Sequence, residues 1–169
     1  NQNIGIVYRN YKDRNRLKQL IKISQECKKM RYQLFVSNDL KLAYKVKADG
    51  IYIPSFNKTK IFSNIEKKNI KIIGSAHTQG EIYKKINQNC EAIFLSPVFL
   101  VEKRRNYLDL YKFNYISQRN RKKIFALGGI NKKNLKKLKL LYIQGFGGIS
   151  LFKKKPASER PVLIKKKFF

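Results

Sequence analysis

At 169 residues and 43% hydrophobic content, the chain suits one domain with a real core rather than a disordered segment. The formal net charge of +29 rests on 39 Lys and Arg, 30 of them Lys, beside 20 Ile, 15 Asn and only 6 Ala; this is the bias of AT-rich codons, which spreads Lys over solvated faces and argues against a selected nucleic-acid patch. No run approaches the roughly 18 apolar residues of a membrane span, and Cys27 and Cys90, with no CxxC and no neighbouring His, argue against a cysteine-based metal centre.

In chain order, Ile4 to Tyr8 is a short β-rich run. The chain starts at Asn1, almost inside that strand, which suggests sequence missing at the front. Arg14 to Lys29 carries Leu17, Leu20, Ile21, Ser24 and Cys27 at helical spacing, an amphipathic helix with a Lys and Gln outer side. Gln33 to Ser37 is the next strand, closed by Asn38 and Asp39 before the helical Leu40 to Lys47. Gly50 to Pro54 is a strand stopped by its proline. Residues 58 to 68 read as helix and Ile70 to Gly74 as strand.

Gln79 to Asn87 is a helix, Ala92 to Leu95 a strand, Leu108 to Gln118 a helix and Ile124 to Leu127 a strand. Asn131 is the expected N-cap of a Lys-rich helix reaching Ile143, with Leu135, Leu138 and Tyr142 as its buried stripe. Gly145 ends that helix, and Gly148 to Phe152 makes the last strand. The segment Lys153 to Phe169 carries seven Lys or Arg, one Glu and two Pro; it reads as a broken barrel helix or a solvated basic tail. Two buried thiols, no membrane span and no leader before the first strand give the expectation of a soluble, cytoplasmic protein.

Seven strands alternating with helices fit either an open doubly wound sheet or a (βα)8 barrel that lacks one unit. No GxGxxG follows the first strand, where Gly5 stands alone. The glycines lie instead after the last two strands, where barrels build phosphate cradles from backbone N–H groups. The expected fold is therefore α/β, a TIM-type barrel of parallel strands.

Five segments in order, SND (Ser37 to Asp39), SAHT (Ser75 to Thr78), SPVF (Ser96 to Phe99), LGGIN (Leu127 to Asn131) and GFGGISLF (Gly145 to Phe152), resemble the thiamine phosphate synthase / TenI family at matching intervals over nearly the whole chain. The resemblance implies that residues 1–152 are units two to eight of that barrel, with the first βα unit absent, followed by the basic segment 153–169. It further implies a transferase that joins hydroxymethylpyrimidine diphosphate to a thiazole phosphate with Mg²⁺, releasing diphosphate through a pyrimidine carbocation. Such chemistry asks for cations and donors on the leaving group more than for an acid or a base.

Carried over by motif, the resemblance implies that Arg9 grips diphosphate and that Ser75 bonds it. Asn38 would contact substrate and Asp39 would ligate Mg²⁺. Gly128 and Gly129 would hold the thiazole phosphate through main-chain N–H groups, a cradle completed by Gly148 and Phe152. The family's glutamine and lysine positions after the first strand hold Val7 and Tyr11. Its second metal aspartate falls in PSFN, where Asn57 offers an amide without charge. Its threonine-rich loop becomes LVEKRRN, in which Lys103, Arg104 and Arg105 are substitute anion ligands. The tautomerase branch places a histidine where this chain has Pro97, and the sole histidine, His77, reads as a structural hydrogen-bonding residue.

Two other readings stay open. One is a degenerate family member that binds a thiazole phosphate or thiamine phosphate without turnover. The other is a basic nucleic-acid-binding domain, which needs exposed aromatics among the lysines. Asn38 and Asp39 are also a good strand-exit and helix-capping pair.

Overall fold

The computed structural model describes residues 4–11, 15–59, 70–101, 106–149 and 151, and the backbone of residues 162–166. Seven strands lie in sequence order, each parallel to the next: β1 (Ile4–Tyr8), β2 (Gln33–Ser37), β3 (Gly50–Ile53), β4 (Lys71–Ala76), β5 (Ala92–Leu95), β6 (Lys123–Ala126) and β7 (Gly145–Gly148). An eighth, β8 (Val162–Lys166), runs antiparallel to both β7 and β1 and closes the barrel. The helices α1 (Arg16–Lys29), α2 (Leu40–Lys45), α3 (Gln79–Asn87) and α4 (Asp109–Gln118) follow β1, β2, β4 and β5.

A strand covered on both faces has no reason to alternate, and β3 (GIYI) and β5 (AIFL) are accordingly buried at every position. Outward-facing side chains meet the helices. Leu34 and Val36 pack with Leu20 and Cys27 of α1, and Ile93 and Leu95 pack with Ile82 of α3 and Phe113 of α4. Inward-facing side chains form a separate core of Val7, Phe35, Tyr52, Ile73, Phe94 and Phe125. Large rings concentrate here because β7 adds only Gly145, in register with Phe125, and β3 adds Gly50, against which Phe35 lies.

One step of the two-residue period beyond that core, the inward positions change character: Val7 gives way to Arg9, Phe35 to Ser37, Ile73 to Ser75 and Phe94 to Ser96. The barrel thus has an aromatic floor and a polar mouth, and the mouth lies at the C-terminal ends of the parallel strands.

Several expectations are corrected. The C-terminal segment supplies a strand, not a broken helix or a loose tail; its short apolar run takes the gap between β7 and β1, whose unpaired edges would otherwise face solvent. The helix expected from Asn131 to Ile143 is a 3₁₀ helix, Leu135–Leu140. Five lysines among residues 132–139, with no acid, put like charges four apart and weaken an α-helix there. Of its expected stripe only Leu138 is buried, together with Leu141 and Ile143, while Leu135 and Tyr142 are exposed. The last parallel strand is Gly145–Gly148 rather than Gly148 to Phe152. Ile21 is exposed on α1, and the aromatics are less buried than the sequence pattern implies, with Tyr107, Tyr111 and Tyr115 exposed along α4 and the turn before it. The expected helix at 58–68 lies outside the described residues from 60 onward.

Removing residues 162–169 strips β1 and β7 of their shared partner. The expected outcome is a lower thermal midpoint and concentration-dependent association, read by thermal unfolding and size-exclusion chromatography; an unchanged midpoint and a monodisperse profile would show that β8 does not close the barrel.

Candidate active site

A cavity of about 470 Å³ opens at the polar mouth, and five of the residues singled out from sequence line it: Arg9, Ser75, Gly128, Gly129 and Gly148. Tyr52, Ser55, Phe56, His77, Ser96 and Pro97 complete much of the wall. Asn38, Asp39 and Asn57 do not line it. Phe152, Lys103, Arg104 and Arg105 lie outside the described residues.

The turn after β6 is built by backbone pairing that outlasts the strands. Leu127 N–H donates to Leu95 O at 3.1 Å, Val98 N–H to Leu127 O at 3.0 Å and Phe99 N–H to Gly128 O at 3.2 Å, so SPVF and LGG are zipped together. This leaves no space for a side chain. A Cβ on Gly128 would come within 2.7 Å of Pro97, and one on Gly129 within 2.5 Å of Phe99 O; both residues also have positive φ, +89° and +71°. Asn134 donates to Gly129 O at 2.7 Å, and Asn131 Oδ1 takes the N–H groups of Lys133 and Asn134, closing a turn ahead of the 3₁₀ helix, whose N-cap is Asn134 rather than the expected Asn131. The amides of Gly128 and Gly129 donate to no described residue. Adjacent glycines with N–H groups left over at a strand end form an anion nest.

Across the mouth, the Arg9 guanidinium stands 5.5 Å from the centre of the Tyr52 ring. Burial raises the Tyr52 hydroxyl above its usual value of 10, more than the nearby Arg9 charge and a hydrogen bond with Ser75 pull it down. Tyr52 is therefore a neutral phenol at physiological pH, paired with Ser75 in the cavity wall. His77 Nδ1 lies 2.7 Å from Ser96 O, an atom that only accepts, so Nδ1 carries a proton; Nε2 faces Ser55 Oγ at 3.1 Å. With both ring nitrogens engaged, His77 ties the turns after β3, β4 and β5 together.

The residues expected to hold Mg²⁺ are occupied otherwise. Asp39 caps α2, its Oδ1 accepting from Leu42 N–H at 2.9 Å, and its Oδ2 pairs with Arg16 Nη1 at 3.3 Å. Asn57 Oδ1 accepts from Thr59 N–H and Oγ at 2.8 and 2.9 Å, while its Nδ2 donates to Asn38 Oδ1. Among the described residues, no three His, Cys, Asp or Glu side chains gather at one point. A hard dication prefers several oxygens and more than one carboxylate. One carboxylate already paired with a guanidinium, beside two amides bonded to each other, does not fit a magnesium centre.

Sequence reasoning also missed Lys85. Fully buried on α3, its Nζ donates to Pro54 O at 2.7 Å, Asn57 O at 2.8 Å and Gln88 Oε1 at 2.8 Å. Gln88 Nε2 adds bonds to Asn57 O and Thr59 O. The turn after β3, which carries Ser55 and Phe56 into the cavity wall, is thus folded around an ammonium ion. Burial lowers the Lys85 pKa from 10.5 to about 8, against the pull of Cys90 and Glu81. Helical spacing gave no signal for this, because a buried lysine and a surface lysine look alike in sequence. Tyr52 was legible in principle, as the inward position next to proline on β3.

Residues 4–152 match the family described as thiamine monophosphate synthase. A thiamine-phosphate synthase of Prochlorococcus marinus subsp. pastoris is 31% identical over 165 residues, spanning 90% of this chain and 45% of the relative; one from another Prochlorococcus marinus strain is 35% identical over 115 residues, 63% of this chain and 32% of the relative. The chain thus spans less than half the length of these curated relatives. A thiamine phosphate pyrophosphorylase structure from Pyrococcus furiosus superposes with a TM-score of 0.72 at 18% identity over 86% of this chain and 71% of that one, a likeness of fold.

Replacing Lys85 by Met removes three charge-assisted hydrogen bonds and leaves Gln88 Oε1 without its donor, while Pro54 O keeps the Asn57 N–H and Asn57 O keeps Gln88 Nε2; a loss of about 3 kcal/mol is expected in denaturant unfolding. The pH dependence has a definite sign. Between about 8 and 10.5 the unfolded chain holds a proton that folded Lys85 has lost, so this group makes stability rise with pH across that window. The gap between parent and Lys85→Met should widen from pH 8 to pH 10.5; a constant gap would contradict the desolvated ammonium.

Proposed function

The chain belongs to the thiamine monophosphate synthase family, and on that premise we propose that it forms thiamine phosphate from hydroxymethylpyrimidine diphosphate and a thiazole phosphate, with diphosphate as the leaving group. The observation that carries this reading is the division of the cavity wall. A guanidinium and a phenol–hydroxyl pair stand on one side, Arg9 with Tyr52 and Ser75, and the Gly128–Gly129 nest stands on the other. Two anionic substrates that must meet need two anion sites that face one cavity.

On this reading, Arg9 binds the diphosphate and meets the charge that grows on it as the carbon–oxygen bond breaks. Tyr52 and Ser75 donate to the same group as neutral hydroxyls. The glycine nest fixes the thiazole phosphate by main-chain N–H, which aims the ring nitrogen at the electron-poor carbon. The aromatic floor of Phe94 and Phe125, whose rings are 5.3 Å apart, keeps the mouth shallow and excludes water from below. His77 positions Ser55 and Ser96 and moves no proton. The proposed cytoplasmic setting follows from the biosynthetic class; among the described residues, no helix is long and apolar enough to cross a membrane.

A second reading, binding of a thiazole phosphate or thiamine phosphate without turnover, is favoured by the absence of a fitting magnesium donor set among the described residues. The test supplies both substrates, with and without Mg²⁺, and follows diphosphate and thiamine phosphate together. Turnover is expected, falling roughly a hundredfold in Arg9→Ala through loss of one preorganised charge. No turnover, with saturable thiazole phosphate binding that Gly129→Ala abolishes, would replace the first reading by the second.

A further inference from the structure

The mismatch between this chain and a magnesium centre has a structural counterpart. Arg16 enters from the first turn of α1, its guanidinium 5.9 Å from the Tyr8 ring centre and 5.8 Å from that of Tyr11, and lies on Asp39 Oδ2. Tyr11 fills the place where the resemblance expects a lysine. Its hydroxyl bonds to Ser37 Oγ and its ring meets Phe56 edge-on at 6.5 Å. A continuous run therefore links the cavity to the carboxylate, from Phe56 through Tyr11 and Arg16 to Asp39, and it ends in a fixed organic cation. Arg16 Nε and Nη2 are buried and have no hydrogen-bond partner among the described residues.

We propose that the Arg16 guanidinium takes the place of the divalent cation at Asp39, so that the cavity binds diphosphate without magnesium, through Arg9 and the hydroxyls of Tyr52 and Ser75. The proposal rests on the functional reading above. Asp39 carries one negative charge, and Arg16 neutralises it at a contact that a metal ion would need for itself. A magnesium ion entering here would displace an arginine already held by two rings, and would gain one carboxylate and neutral amides. Under this arrangement Asp39 is a positioning residue, the cap of α2 and the anchor of Arg16, and its charge works against anion binding rather than for it.

The experiment is calorimetric titration with inorganic pyrophosphate of the parent chain and of Asp39→Asn, each in EDTA and in millimolar magnesium, with thermal unfolding as the folding control. Asparagine keeps a cap acceptor for Leu42 N–H while removing the charge. The proposal expects saturable binding in EDTA, no tightening by magnesium beyond the complexation of free pyrophosphate, and binding by Asp39→Asn that is as tight as the parent's or tighter. Binding that requires magnesium, or that is lost in a folded Asp39→Asn, would overturn it while leaving the functional reading intact. No pyrophosphate binding under any condition would overturn both.

Discussion

Closure of a barrel of mostly parallel strands shuts its inner face off from water and buries β3 and β5 at every position, and the rest of this molecule follows from that constraint. Inside, polar side chains are tolerable only where the strands stop, because elsewhere they would lose water without finding partners. The sequence obeys this strand by strand: Phe35 is followed inward by Ser37, Ile73 by Ser75, Phe94 by Ser96. The floor is aromatic because β7 is nearly all glycine and leaves space to fill. The mouth is where four different strands bring together an arginine, a phenol, hydroxyls and free amides, so the chemistry is a consequence of closure and register.

The turns at that mouth are held by two opposite devices. After β5 and β6 the backbones pair directly, and the glycines are obligatory because nothing larger than hydrogen fits between them. After β3 the loop turns the carbonyls of Pro54 and Asn57 onto the Lys85 ammonium. A buried lysine is costly, which its lowered pKa records; three well-placed acceptors make the cost bearable and fix Ser55 and Phe56 in the cavity wall. His77 then connects the two halves through Ser55 and Ser96.

Seven strands were legible in the sequence because strands buried on both faces are short apolar runs punctuated by Gly, Pro and Ser, a pattern that depends on little beyond local chemistry. The glycine turn was legible because it sits directly past a strand end, and Arg9 and Ser75 because short motifs at the ends of β1 and β4 carry them. β8 was not, as Val162 to Ile164 is too short and too densely flanked by Lys to announce a strand; only the open gap between β7 and β1 selects it. Asp39 was read as a metal ligand from its motif and as a cap from its local position; the cap on Leu42 N–H is the part that local sequence could show, whereas the pairing with Arg16 of another helix depends on tertiary register. Lys85 and Arg16 were hidden among 39 cations that look alike in sequence.

The central claim is that this mouth is an anion site made by the chain's own groups. Amide spectra of uniformly ¹⁵N-labelled protein, titrated with a thiazole phosphate and then with pyrophosphate, test it most directly. The account predicts that the first ligand shifts Gly128 and Gly129, and that the second shifts Tyr52 and Ser75. Shifts confined to the Lys-rich surface of residues 132–139, with the glycine turn and Ser75 unmoved, would contradict it.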